Sequence, residues 1–408
     1  MKRRNFLQLA SLLSASGIIS VGSHGWVAKG LAQTNNRKRL IVVFLRGGVD
    51  GLNIVIPHQE ENYYDARPKI AIPAPGEENG AINLDGQFGL HPALADVMPL
   101  WQNRSLAFIH ACGLNHNTRS HFDAQFYMET GVPGSKNTSN GWMNRLLGNL
   151  PKDKPTQAVN LGDTPPRILM GEMPVATLPT GRKSSRRLPI DRPQINQAFD
   201  RLYTGNDELS RVYQEGRQAR DLLLADLEKE MEEASGGAPP PRGFAADAKH
   251  LAQIMVGDSQ TQLGFLALGG WDTHVNQGKT QGQLARKLKP LGEGLATLVQ
   301  ELGPLYSDTM VLVMSEFGRT VKENGNGGTD HGHGNVMWVL GGDVRGGQVY
   351  GKWPGLDESQ LFQKRDLAVT TDFRDAIATV LEGHLGVNQN QLAQIFPGNS
   401  SYQRLALL

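Results

Sequence analysis

The 408-residue sequence contains a single cysteine, Cys112. One thiol excludes an intrachain disulfide framework and any cysteine-based zinc site within one chain. Nor is there a large charge of either sign. The 41 Lys and Arg residues stand against 40 Asp and Glu, a formal net of +1. Nothing in that balance calls for nucleic acid as a partner. No apolar run reaches the ~20 residues needed to span a bilayer, so no stable membrane span is expected. A Gly-x-Ser-x-Gly elbow is also missing, which argues against a Ser-His-Asp hydrolase. Glycine is in excess, with 48 residues against a usual share of ~7%. That predicts many turns and tight loops, not coiled coil or disorder.

Residues 1–32 read as a leader outside the fold. Lys2-Arg3-Arg4 is a basic start, Phe6 to Val21 is apolar but broken by Ser and Gly, and Gly30-Leu31-Ala32 offers small residues to a signal peptidase. The string Arg3-Arg4-Asn5-Phe6-Leu7 resembles a twin-arginine signal. A periplasmic or secreted protein is therefore expected. Loss of the leader removes Lys2, Arg3, Arg4 and Lys29 and no acidic residue, taking the net charge from +1 to −3.

Residues 33–408 are expected to form one domain. Leu40–Leu45, Ser105–His110, Thr261–Leu268, Met310–Met314 and Val336–Leu340 are short apolar runs that read as buried strands. Pro92–Trp101, Phe122–Thr130, Ala245–Val256, Leu284–Leu302 and a stretch from the Thr371-Asp372 cap through Glu382 read as helices. Ser120 and Asp123 have capping-box form. Residues 58–90 and 131–190 read as loop. Across about 195–235, Leu209, Val212, Gly216, Ala219, Leu223, Leu227 and Met231 keep a 3–4 spacing, which predicts an amphipathic helical insertion. Gly236–Gly243 reads as a linker. Alternating strands and helices predict an α/β fold with a mostly parallel sheet flanked by helices.

In such sheets ligands bind beyond the carboxyl ends of the strands. Asp50, Ser120, Asp272 with His274, and Glu316 each follow a predicted strand, and Asp330, His331 and His333 lie in the glycine-rich loop after Glu316. Carboxylate and imidazole suit a divalent cation such as zinc or manganese. A cation there would activate the Ser120 hydroxyl, itself at a helix N-terminus whose N–H groups favour an anion. Each residue also has a plainer use: Asp50 as a turn residue, Ser120 as an N-cap, Glu316 as an ion-pair partner of Arg319.

Gly-Gly-Val-Asp50-Gly-Leu-Asn, Gly-Gly-Trp271-Asp-Thr-His274, Ser315-Glu-Phe-Gly-Arg319-Thr and Gly-Gly-Thr-Asp330-His331 together resemble the DUF1501 family, across about residues 38–397. These are secreted bacterial proteins related to the alkaline phosphatase/sulfatase superfamily. The resemblance implies an alkaline-phosphatase-like fold and a metal site formed by Asp50, Asp272, His274, Asp330 and His331, with Glu316 and His333 as further candidates. Zinc is the first choice of ion, with manganese, calcium and magnesium behind it. Ser120 is the best match to the nucleophile, Thr118 the second, and Arg46, Arg119 and Arg319 are candidates to bind the anion. Glu316-Phe317 stands where the superfamily carries Asp-His. Around Cys112 the sulfatase Cys-x-Pro-x-Arg signal is absent. The expected function is metal-dependent hydrolysis of a small phosphate or sulfate ester. The alternative is a binding protein that retains the fold without the chemistry.

Overall fold

The computed structural model describes residues 19–22, 25–28, 37–150, 158–178, 232–258, 261–399 and 401–408. Most of the expected leader, and the expected helix up to residue 231, lie outside these residues. The chain divides into Met1–Arg37 and Lys38–Leu408. In the first unit, β1 (Ile19–Gly22) pairs antiparallel with β2 (Gly25–Ala28).

The second unit contains the strands β3 (Arg39–Leu45), β4 (Val55–Ile56), β5 (Ile82–Asn83), β6 (Gly89–Leu90), β7 (Leu106–Gly113), β8 (Ala158–Leu161) and β9 (Ala176–Leu178). These are followed by β10 (Leu263–Leu268), β11 (Thr309–Ser315), β12 (Asn335–Gly341), β13 (Val349–Tyr350) and β14 (Thr371–Asp372). Among the described residues, one nine-stranded sheet has the order β13-β7-β12-β11-β3-β10-β8-β9, with β14 beside β7. β4, β6 and β5 form a small antiparallel sheet. The helices are α1 (Glu61–Ala66), α2 (Met98–Gln102), α3 (His121–Thr130), α4 (Trp142–Asn149), α5 (Phe244–Gly257), α6 (Gln283–Leu302), α7 (Phe373–Leu385) and α8 (Gln389–Ile395).

Every residue of β3, β11 and β12 is buried. Their side chains alternate between two cores. Leu40, Val42, Phe44, Leu312 and Met337 join residues of α4, α7 and α8 on one face. Ile41, Val43, Leu45, Val313 and Trp338 join α5 and α6 on the other. Burial on both faces explains why these strands are continuously apolar and do not alternate.

The sheet is mostly parallel, with one departure that places the site. β12 runs antiparallel to both β11 and β7. Its entering loop therefore lies at the edge where β3, β7, β10 and β11 end. The irregular stretches are also more structured than their sequence indicates. α1, β5 and β6 lie within 58–90, and α4, β8 and β9 within 131–190. Strands of two to four residues are too short to show a period. The segment from Pro92 is two pieces, a 3-10 stretch (Pro92–Val97) kinked at Leu94, whose backbone is not helical, and then α2.

Candidate metal centre

Four segments deliver the site. Beyond β10, Gly269 and Gly270 lead to Asp272 and His274. Gly47, just past β3, has φ +120°, and a Cβ there would sit 2.7 Å from the Asp272 backbone nitrogen. Only glycine lets the two strand exits touch. Beyond β11, the Ser315 hydroxyl donates to the Leu45 carbonyl (2.7 Å) and accepts from Val49 N–H (3.1 Å), holding the β11 and β3 exits together. Beyond β7, Ser120 caps α3 by accepting from Asp123 N–H (3.4 Å), which makes His121 the first helical residue. The loop entering β12 supplies His331.

Three histidines meet at Asp272. The Nε2 atoms of His274, His331 and His121 lie 2.9, 3.3 and 3.5 Å from its carboxylate oxygens. The Nε2 of His331 is 2.9 Å from that of His121 and 3.0 Å from that of His274. Each ring is held from behind through Nδ1: His121 by Glu316 (2.7 Å), His274 by Asp330 (3.2 Å) and His331 by the Arg119 carbonyl (2.9 Å). Those partners only accept, so each Nδ1 carries the hydrogen and each Nε2 faces inward. Lone pairs cannot bond one another, so a proton or a metal ion must lie among them.

The charges are arranged accordingly. Burial alone would raise the Asp272 carboxyl, but Arg319 and the three histidines outweigh it and hold it well below the usual range. Burial opposes a charge on His121, yet Asp272 and Glu316 together push it up to about 9. Burial also opposes the ionised form of Glu316, and His121 and Gln125 reverse this and lower its pKa. Arg319 donates to Asp272 through one nitrogen. Its Nε and Nη1 and the Oδ2 of Asp272 are buried without a hydrogen-bond partner.

The expected residues divide as follows. Asp272, His274 and His331 come together. Glu316 was expected as a ligand candidate, but it is fully buried and one of its oxygens takes hydrogen bonds from His121, Gly47 N–H (2.8 Å) and Gln125 (2.9 Å), so it orients a ligand. Asp330 supports His274 from a half-exposed position.

Asp50 is not in the cluster. Arg67 grips both its oxygens (2.7 and 3.1 Å) and Gln277 adds a third bond (2.6 Å), all in full burial. His333 also departs, stacking on Phe362 at 4.1 Å, where burial lowers its pKa to about 4. Ser120 is exposed at the helix start, and Thr118 accepts from its N–H (3.3 Å). Of the expected anion binders, Arg46 pairs with Glu129 (2.7 Å) and Arg119 with Asp366 (2.6 Å).

Sequence reasoning overlooked His121. The signal was present, since an N-cap at Ser120 makes the next residue the first helical one, but a lone histidine there has no pattern of its own. It also overlooked Arg67, which lies in a stretch without periodicity. Among the described residues, His121, Asp272 and His331 form the cluster whose ligand atoms all lie within 4.8 Å of one another. No described helix is long and apolar enough to cross a membrane.

No curated protein matches the chain. Solved structures do. Ps i-CgsB in complex with k-i-k-neocarrahexaose is 12% identical, with a TM-score of 0.43 over 87% of this chain and 74% of that one. The C-terminal periplasmic domain of EcEptC from Escherichia coli, in complex with Zn, is 10% identical, with a TM-score of 0.41 over 92% and 93%. A protein in the alkaline phosphatase superfamily from Vibrio parahaemolyticus is 9% identical, with a TM-score of 0.39 over 77% and 63%. A family model described as "Protein of unknown function (DUF1501)" matches residues 37–396, and the chain belongs to that family.

Proposed function

We propose that the protein is an exported, metal-dependent hydrolase of phosphate or sulfate esters, with one divalent cation held by His121, Asp272, His274 and His331. One observation carries this reading: three Nε2 atoms converge on one carboxylate while each Nδ1 is committed elsewhere. That is how metal-binding histidines are held, with an acceptor behind each ring.

The donor set fits an ion that takes imidazole nitrogen, zinc first, whereas manganese prefers oxygen. Three imidazoles and one carboxylate do not suit calcium or magnesium, which take oxygen ligands. When bound, such an ion supplies Lewis acidity, stabilising charge on an ester oxygen and lowering the pKa of a hydroxyl.

The chain's own groups complete the chemistry. Glu316 and Asp330 take the Nδ1 protons of His121 and His274 and fix the rings. Arg319 keeps Asp272 ionised. Ser120 offers an exposed hydroxyl at the amino end of α3, where N–H groups favour the anion of an ester. We assign the nucleophile to Ser120 Oγ, with Thr118 the second candidate. The substrate is a small anionic ester.

A second reading, a binding protein without turnover, is favoured by Asp50 and Phe317. Arg67 and Gln277 occupy the Asp50 carboxylate, and Phe317 stands as an inert wall with its ring centre 4.7 Å from that of His121. The test is metal analysis of the purified protein, followed by assays on 4-nitrophenyl phosphate, its bis-ester and 4-nitrophenyl sulfate with and without chelator. About one zinc per chain and chelator-sensitive turnover are expected. Metal without turnover of any ester selects the second reading. Absence of metal sinks the hydrolase reading.

A further inference from the structure

His331 differs from the other two histidines in what stands behind it. Carboxylates take the Nδ1 hydrogens of His121 and His274, whereas His331 Nδ1 donates to a main-chain carbonyl, that of Arg119. A carbonyl in a loop is only as well placed as the loop. The segment 114–120 lies between β7 and α3. It has a local bond from Thr118 N–H to the His116 carbonyl (2.9 Å) and the bond from Ser120 N–H to Thr118. Its long-range hydrogen bonds run through Arg119.

The Arg119 side chain closes on Asp366, through Nε at 3.1 Å and Nη2 at 2.6 Å. Asp366 is fully buried. Its other oxygen takes Arg365 Nε at 2.9 Å, and Arg365 Nη2 donates to the His331 carbonyl. Asp366 thus reaches His331 by two routes. Through Arg119 it sets the acceptor behind the ring, and through Arg365 it holds the residue's own backbone. The backbone adds a third tie, because Asp366 bridges Thr320 while the adjacent Arg319 bridges His331. Arg119 also lies two residues before His121 and one before Ser120, so the same ion pair anchors the chain next to the α3 cap.

We infer that Asp366 is a positioning residue that fixes the tautomer and orientation of His331 through Arg119 and Arg365. This rests on the metal-centre reading for its consequence, but the tautomer itself is a property of the metal-free chain. Outer partners of this kind change metal affinity by about 10–100-fold when removed. A buried carboxylate that served only stability would leave the ring nitrogens of His331 untouched.

Two variants test it, Asp366→Asn and Arg365→Met. The second removes a partly exposed side chain and leaves the buried carboxylate paired with Arg119. Arg404→Met, which breaks the exposed pair with Glu382, is the control. Imidazole nitrogen NMR of the metal-free proteins reports the His331 tautomer, and titration with Co(II) reports affinity and the visible spectrum of the bound ion. In the parent, His331 is expected to carry its hydrogen on Nδ1. In Asp366→Asn that signal should shift or split, and Co(II) should bind about 10–100-fold more weakly. Arg365→Met should move both readouts in the same direction and Arg404→Met neither. An unchanged tautomer together with parental affinity in a folded Asp366→Asn protein overturns the inference. A shifted tautomer in a protein whose parent ignores Co(II) keeps the positioning role and removes the metal reading.

Discussion

At the scale of single residues, Ser120 is where a structural and a chemical role meet. As a cap its bond is long, 3.4 Å to Asp123 N–H. Ser120→Ala should therefore lie toward the low end of the usual ~0.5–2 kcal/mol. Ser120→Asp supplies another good cap but no hydroxyl. That variant should fold, keep its metal and lose ester turnover by orders of magnitude. Parental activity in it would reduce Ser120 to a cap and move the search to Thr118. Glu316 has one role only. Glu316→Gln keeps a neutral acceptor for Gly47 N–H, Gln125 and His121, which all bond one oxygen, and removes the charge that strengthens these bonds and favours the His121 imidazolium. We expect a loss of about 1–3 kcal/mol and a roughly 10–100-fold weaker metal affinity, read by thermal unfolding and Zn(II) titration. A Glu316→Gln protein with unchanged affinity would mean the His121 ring is held by something else. These two residues also show what the sequence allows one to see. A polar residue after a buried strand can be placed at the sheet edge, but whether it ligates, caps or supports depends on side chains distant in sequence. Asp50 and Asp272 look alike in the sequence, each set by glycines after a strand. Arg67, 17 residues after Asp50, decides that only Asp272 faces the histidines.

At the scale of elements, the buried strands are the legible part, because burial on both faces leaves an uninterrupted apolar run. Strand direction is not legible in that way. β12 is a buried, mostly apolar run like the parallel strands β3 and β11, yet it reverses, and the reversal brings His331 to the shared edge. The close contact that permits this is at Gly318, where a Cβ would meet the Gly334 carbonyl at 1.9 Å. The Gly318 N–H donates to the His333 carbonyl (3.0 Å) and Gly332 N–H to the Gly318 carbonyl (2.9 Å). Gly318→Ala should push the β11 exit away from the β12 entry and displace His331. The expected result is a folded protein with impaired metal binding and a lowered Tm. Parental Tm and affinity would show that the two loops can separate without disturbing the cluster.

At the scale of the whole molecule, buried histidines of two kinds have opposite pH behaviour. Burial lowers His91 and His110 to about 4. The unfolded chain, at ~6.5, takes up protons first as pH falls, so their contribution is lost between about 6.5 and 4. His121 is raised to about 9. In the metal-free protein its contribution is full below ~6.5 and is lost as pH rises through about 9. The Tm of the metal-free protein should therefore peak between these limits and fall on both sides. Replacing the buried His110 with Asn should flatten part of the acid slope. A Tm that stays level from pH 7 to pH 4.5 would contradict the assignment of neutral, buried rings to His91 and His110. Binding of the cation would displace the His121 proton, so the alkaline fall should shrink when zinc is added.

The convergence of His121, His274 and His331 on Asp272 joins all three scales, and one measurement reads it directly. Crystals grown with zinc, with diffraction data collected on either side of the zinc absorption edge, would locate any ion by its anomalous signal. A single strong peak is expected about 2.0–2.1 Å from the Nε2 of each of the three histidines and within about 2.2 Å of an Asp272 oxygen. A map with no peak there, and the imidazoles hydrogen-bonded to one another and to Asp272, would contradict the metal centre.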